Sequence, residues 1–192
     1  MRHAVLLQLL TLIPAPLVAQ PPTPAQQVAA AVLPLPESMR TEATVLGYDG
    51  SAALVTLRQG TNRMICLADD PAIATFHVAC YHDAMEPFMA RGRALRTSGV
   101  TGDQVDSVRF REVAAGTLPV PTQPAMLYSL SGPAGSWDPA TNEVKGARPL
   151  YVTYIPYATQ ATTGLPEVPV AGKPWLMFPG TPKAHIMYTP SM

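Results

Sequence analysis

Residues 76–89, FHVACYHDAMEPFM, gather two of the chain's four histidines, one of its two cysteines, and Asp83 with Glu86. His82 and Glu86 stand four apart, the spacing of neighbours on one helical face. With His185 near the C-terminus they make a donor set of the types that zinc takes. Cys80 beside His82 has the composition of a thiolate nucleophile with its base. His82 and Glu86 are thus the candidate catalytic residues, and His82, Glu86 and His185 the candidate metal ligands. Tyr154, Trp175 and His185 are the candidate ligand-binding residues, because Tyr and Trp combine an apolar body with a polar handle.

Each chemistry competes with an architectural use of the same residue. Cys66 and Cys80 are the only cysteines, and an even count in an exported chain implies a disulfide. Facing residues on neighbouring antiparallel strands are close enough for it. If residues 73–82 form a regular strand, Phe76, Val78, Cys80 and His82 share one face, and His77, Ala79 and Tyr81 share the other. His77 and His82 then cannot converge on one ion. Asp83 and Glu86 read equally as a helix N-cap and its third residue, or Pro87 opens the helix with Glu86 ahead of it. His82, at the end of the strand, is the residue these uses leave open.

Arg91, Arg93, Arg96, Arg109 and Arg111 cluster on or near two expected helices. Arginine suits bidentate anion contacts, but a solvated face partnered by Asp103, Asp106 and Glu112 uses the same residues, and is the preferred reading. The chain has no G-x-S-x-G, G-x-G-x-x-G, P-loop, H-E-x-x-H or C-x-x-C-H motif, so nothing in it names a cofactor.

The elements that must position these residues follow from turn chemistry. The N-terminus has a basic start at Arg2, an apolar run over residues 4–13, then prolines and Ala19. That layout predicts a signal peptide over residues 1–19. Residues 20–40 read as a Pro-rich leader with one short helix, capped by Thr23 and opened by Pro24. Residues 41–192 read as one domain. Four strand-like runs separated by Asp49-Gly50, QGTN and DDP predict an antiparallel meander over residues 41–80.

Two helices follow, one from Asp83 or Pro87 to Ser98 and one from near Asp103 to Gly116. PAMLYSL, RPLYVTYIPY and AHIMY predict three further strands. Residues 158–183 read as a long loop whose PWLMF segment must pack somewhere. The expected fold is α+β: an antiparallel sheet of a four-strand meander plus about three C-terminal strands, with two central helices packed on one face.

Charged residues are 14% and hydrophobic ones 47% of the chain, with formal net charge zero. That composition fills a core and leaves no electrostatic footprint for nucleic acid. No run in the mature chain is long enough for a membrane span. The expectation is a secreted or periplasmic domain that binds a small molecule or an envelope protein. The alternative is a small extracytoplasmic, metal-dependent enzyme using His82, Glu86 and His185.

Overall fold

The computed structural model describes residues 21–190; the expected signal peptide lies outside them. Helix α1 (Pro24–Ala31) begins where its caps predict. Thr23 Oγ1 accepts the Gln26 N–H at 3.3 Å, and Gln26 Oε1 accepts the Thr23 N–H at 2.9 Å. A short α2 (Glu37–Arg40) leads into strands β1 (Thr44–Tyr48), β2 (Leu54–Arg58), β3 (Met64–Leu67) and β4 (Thr75–His82). A 3-10 turn (Asp83–Met85) passes directly into α3 (Glu86–Thr97), and α4 (Asp103–Ala114) follows. The chain continues as β5 (Ala125–Ala134), β6 (Arg148–Tyr154), α5 (Gln160–Thr163), β7 (Trp175–Met177) and β8 (His185–Tyr188).

The fold is mixed α+β with one eight-stranded sheet, ordered β2-β1-β3-β4-β5-β6-β8-β7 and mostly antiparallel. Its first half is not the expected meander. β3 pairs with β1, not β2, and does so in parallel, with Val45 opposite Cys66. After β2 the chain passes the start of β1 and returns on its other side. The crossing is tight: Thr61 and Asn62 donate to the Glu42 carbonyl at 2.7 and 3.2 Å. A Cβ on Gly60 would sit 2.2–2.3 Å from the backbone of residues 42–44, so only glycine fits.

The β1–β2 connection also differs from a two-residue turn. The Asp49 carboxylate accepts the Ser51 and Ala53 N–H groups at 2.8 and 3.0 Å. The left-handed residue is Ala52, at φ 60°, not Gly50. The C-terminal part holds four strands where three were expected. Residues 158–183, read as a loop, contain α5 and β7, and β7 forms the sheet edge beside β8. Leu176 within PWLMF is fully buried against Ala158, Ala184 and Ile186.

Helices cover both faces. On one, Ala31, Val32 and Leu35 pack on Val45, Met64, Cys66 and Cys80. The segment read as a leader therefore supplies part of the core, where one fully buried side chain such as Leu35 contributes about 2 kcal/mol. Gln27 fastens α1 to β1: its amide accepts the Tyr48 N–H at 2.8 Å and donates to the Tyr48 carbonyl at 2.9 Å. On the other face, Met85 and Met89 pack on Tyr81, Ala125, Leu127 and Tyr154. Strand β4 separates the faces, with Phe76, Val78 and Cys80 toward α1 and Tyr81 toward α3.

Candidate functional site

Cys66 and Cys80 are directly opposite on β3 and β4, and they form a disulfide with Cα atoms 3.9 Å apart. Both are fully buried, so Cys80 is no nucleophile for His82. His82 closes β4 and caps the turn beyond it: its Nδ1 accepts the Ala84 N–H at 3.2 Å. Asp83, expected as the N-cap, instead pairs with Arg63 at 2.9 Å.

Glu86 does not cap either. Its Oε2 accepts the Tyr81 hydroxyl at 2.5 Å and its Oε1 accepts Arg93 at 2.6 Å. Arg93 also donates to the Tyr81 oxygen at 2.8 Å, closing a triangle that joins β4 to α3. Burial first, and then the bond to Glu86, hold the Tyr81 hydroxyl well above its ordinary pKa.

His185 lies in another part of the sheet. It is buried on β8, with Nδ1 2.7 Å from the Lys183 carbonyl oxygen, so Nδ1 carries the proton and donates. Its ring meets Tyr154 at 4.8 Å and Phe178 at 5.7 Å between centroids. Burial pulls the His185 imidazole below its usual pKa, and burial pushes the Tyr154 hydroxyl up to about 12. Tyr154 and His185 are thus brought together as cross-strand neighbours. Trp175, half-buried on β7, faces Met187 in the ladder on the other side of β8.

The candidate metal ligands do not converge. β4 and β8 are separated by β5 and β6, a backbone span of about 14 Å at ordinary strand spacing. Among the described residues no group of three or more His, Cys, Asp or Glu side chains is placed to hold a metal ion. The helix arginines match the expected solvated face only in part: Arg91 forks onto Glu112 at 2.6–3.0 Å and Arg109 pairs with Asp106, but Arg109 is buried and Arg93 pairs with Glu86. Lys183 reaches the other Asp106 oxygen at 2.8 Å.

The space that could admit a ligand opens elsewhere, on the α3 side of the sheet near the other end of β4. A cavity of about 1050 Å³ lies between the C-terminal half of α3, the β1–β2 hairpin and residues 68–73. Leu54, Leu67, Ala79 and Ile73 give it apolar walls; Tyr48, Asp69, Asp70, His77, Arg93 and Arg96 give it polar ones. His77 lines it from β4, with Nε2 3.0 Å from Ser129 Oγ and its backbone N–H donating to Asp69 Oδ1 at 2.8 Å. Burial lowers the His77 pKa against the pull of Asp69, and burial together with Asp70 raises that of Asp69.

His77 with Ser129 has the elements of a nucleophile and base, yet Ser129 sits inside β5 with β4 and β6 paired on either side. Peptide N–H groups there are engaged in the ladder, so the backbone of β4, β5 and β6 offers no oxyanion donor beside the hydroxyl. The hydroxyl anchors the imidazole.

The sequence put forward Tyr154, Trp175 and His185 as ligand-binding residues and gave His77 no role; none of those three lines this cavity, and His77 does. Strand alternation does put His77 and Ala79 on the α3 face. That α3 and residues 68–73 border one cavity with that face has no periodic signal. A smaller cavity of about 420 Å³ lies beside Gly60, Arg63 and Asp83. No protein-family model, curated protein or solved structure matches this chain.

Proposed function

We propose that this chain is an extracytoplasmic binding protein and that its ligand is a small molecule held between α3, the β1–β2 hairpin and residues 68–73. The observation that carries this reading is the cavity of about 1050 Å³, apolar in its body with a few convergent polar groups. Small-molecule sites have that construction. The engagement of His82 as a turn cap and of Glu86 by Tyr81 and Arg93 supports binding over catalysis. The Cys66–Cys80 disulfide supports an oxidising compartment. Among the described residues no helix is long and apolar enough to cross a membrane.

The test uses N-phenyl-1-naphthylamine, a neutral apolar dye that brightens out of water. Its fluorescence rises with added protein and is lost in Ala53→Trp, which fills the cavity from an exposed rim position. The melting temperature of that variant stays within a few degrees of the parent. No enhancement, or equal enhancement in a folded Ala53→Trp protein, removes the reading.

A further inference from the structure

We propose that the cavity takes an amphoteric ligand with its two charges at opposite ends of an apolar body, as in a short apolar peptide: the anionic end on Arg96, the cationic end on Asp69 and Asp70. This rests on the binding reading above and adds the chemistry of the ligand.

The charges of the cavity stand on different elements. α3 contributes Arg93 and Arg96. Arg93 is spent, because Glu86 and the Tyr81 oxygen hold it at 2.6 and 2.8 Å. Arg96, one turn further on, makes none of the ion pairs found among the described residues. It complements the C-terminal end of the helix, which leaves most of its five donors for an anion.

Residues 68–73 carry Asp69 and Asp70. Asp69 accepts the His77 N–H at 2.8 Å and Asp70 accepts the Ala72 N–H at 2.9 Å, each through one oxygen. Neither makes an ion pair among the described residues. Two adjacent carboxylates, half-buried and without a cation, gain from an incoming ammonium by relief of repulsion and of desolvation. Burial is the first cause of the raised Asp69 pKa, and Asp70 adds to it against the opposing pull of His77.

The surfaces between the charges are apolar. Leu54, Leu67 and Ala79 line them, and Ile73, 55% exposed at residues 68–73, is an apolar side chain that a ligand would cover. Opposite charges on different elements of one cavity select a ligand of matching polarity and orientation more than they add raw affinity.

The experiment is isothermal titration of the whole protein with Leu-Phe-Leu in four forms: free, N-acetylated, C-amidated and doubly capped. The free peptide is expected to bind at least tenfold tighter than the doubly capped one, with each single cap intermediate. Arg96→Gln should erase the sensitivity to C-amidation and keep that to N-acetylation. Asp69→Asn with Asp70→Asn should do the reverse, a coupling that general damage to the site does not imitate.

Equal affinity for all four forms overturns the proposal, and so does sensitivity to one terminus alone, which marks a singly charged ligand. Should a variant fail to fold, the cap series on the parent protein still decides. If N-phenyl-1-naphthylamine binds and none of the peptides does, the amphoteric class falls while the cavity remains a binding site. If the dye does not bind either, both fall.

Discussion

The Tyr81 hydroxyl donates a 2.5 Å hydrogen bond to Glu86, five residues along the chain, and so sets the angle at which α3 leaves β4. Arg93, one wall residue of the cavity, is held by the same pair. The most chemically suggestive carboxylate of the sequence is therefore a positioning group for the helix that borders the site.

Tyr81→Phe removes the donor and leaves Glu86 with Arg93 alone. Hydrogen bonds to charged groups contribute about 1.5–3 kcal/mol, and a loss in that range is expected in urea unfolding. Glu86→Gln should cost a similar amount, and the double variant less than the sum of the two. Strict additivity would show that the triangle does not act as a unit.

The Cys66–Cys80 bond closes a loop with a sequence separation of 14 between paired strands. Replacing both residues with alanine should lower stability by about 3 kcal/mol through the unfolded chain. Denatured, unreduced protein should show no reactive thiol. Two reactive thiols in that assay would contradict the bond.

Asp106 sets an acid limit. Burial acts to raise its carboxyl, but hydrogen bonds from Lys183 and Arg109, with their charges, hold it below the ordinary carboxylate value. The folded pKa is depressed, so the stabilisation is fully present above the unfolded value of 3.8 and is lost as pH falls through the folded value. Thermal melts should therefore drop as pH falls below about 4. Asp106→Asn should flatten part of that drop. At pH 7 the variant should lose about 3 kcal/mol, because Arg109, 4% exposed, is left without its carboxylate.

Gly60→Ala tests the crossover that makes β1 and β3 parallel. Its Cβ would press on the backbone of residues 42–44, which cannot move aside as a side-chain tip can. A loss of about 2 kcal/mol or more is expected in denaturant melts. Gly50→Ala, with nothing within 4 Å of the new Cβ, should be close to neutral. Equal effects at the two glycines would argue against the crossover.

Local regularities made part of this legible from the sequence. Thr23, Pro24 and Gln26 specify the start of α1, and alternation along β4 separates Cys80 from His77 and Tyr81. The disulfide follows from an even cysteine count and from strands that face each other. These signals work because capping, pleat and turn geometry act over a few residues.

The edge of β1 that β3 joins is absent from such signals, since the runs of β1, β2 and β3 look alike in either order. Only the passage of Gly60 over the start of β1 decides it. The same holds for Glu86. Its spacing from His82 fits metal ligation, and the partner that claims it, Tyr81, points to it only once β4 and α3 are packed. By itself the sequence determined the start of α1, the strand runs that became β1 to β4 and the division of β4 side chains between two faces, because those depend on neighbours along the chain. The tertiary structure alone decided which edge of β1 takes β3 and that α3, the β1–β2 hairpin and residues 68–73 border one cavity, because those depend on contacts between segments far apart in the chain.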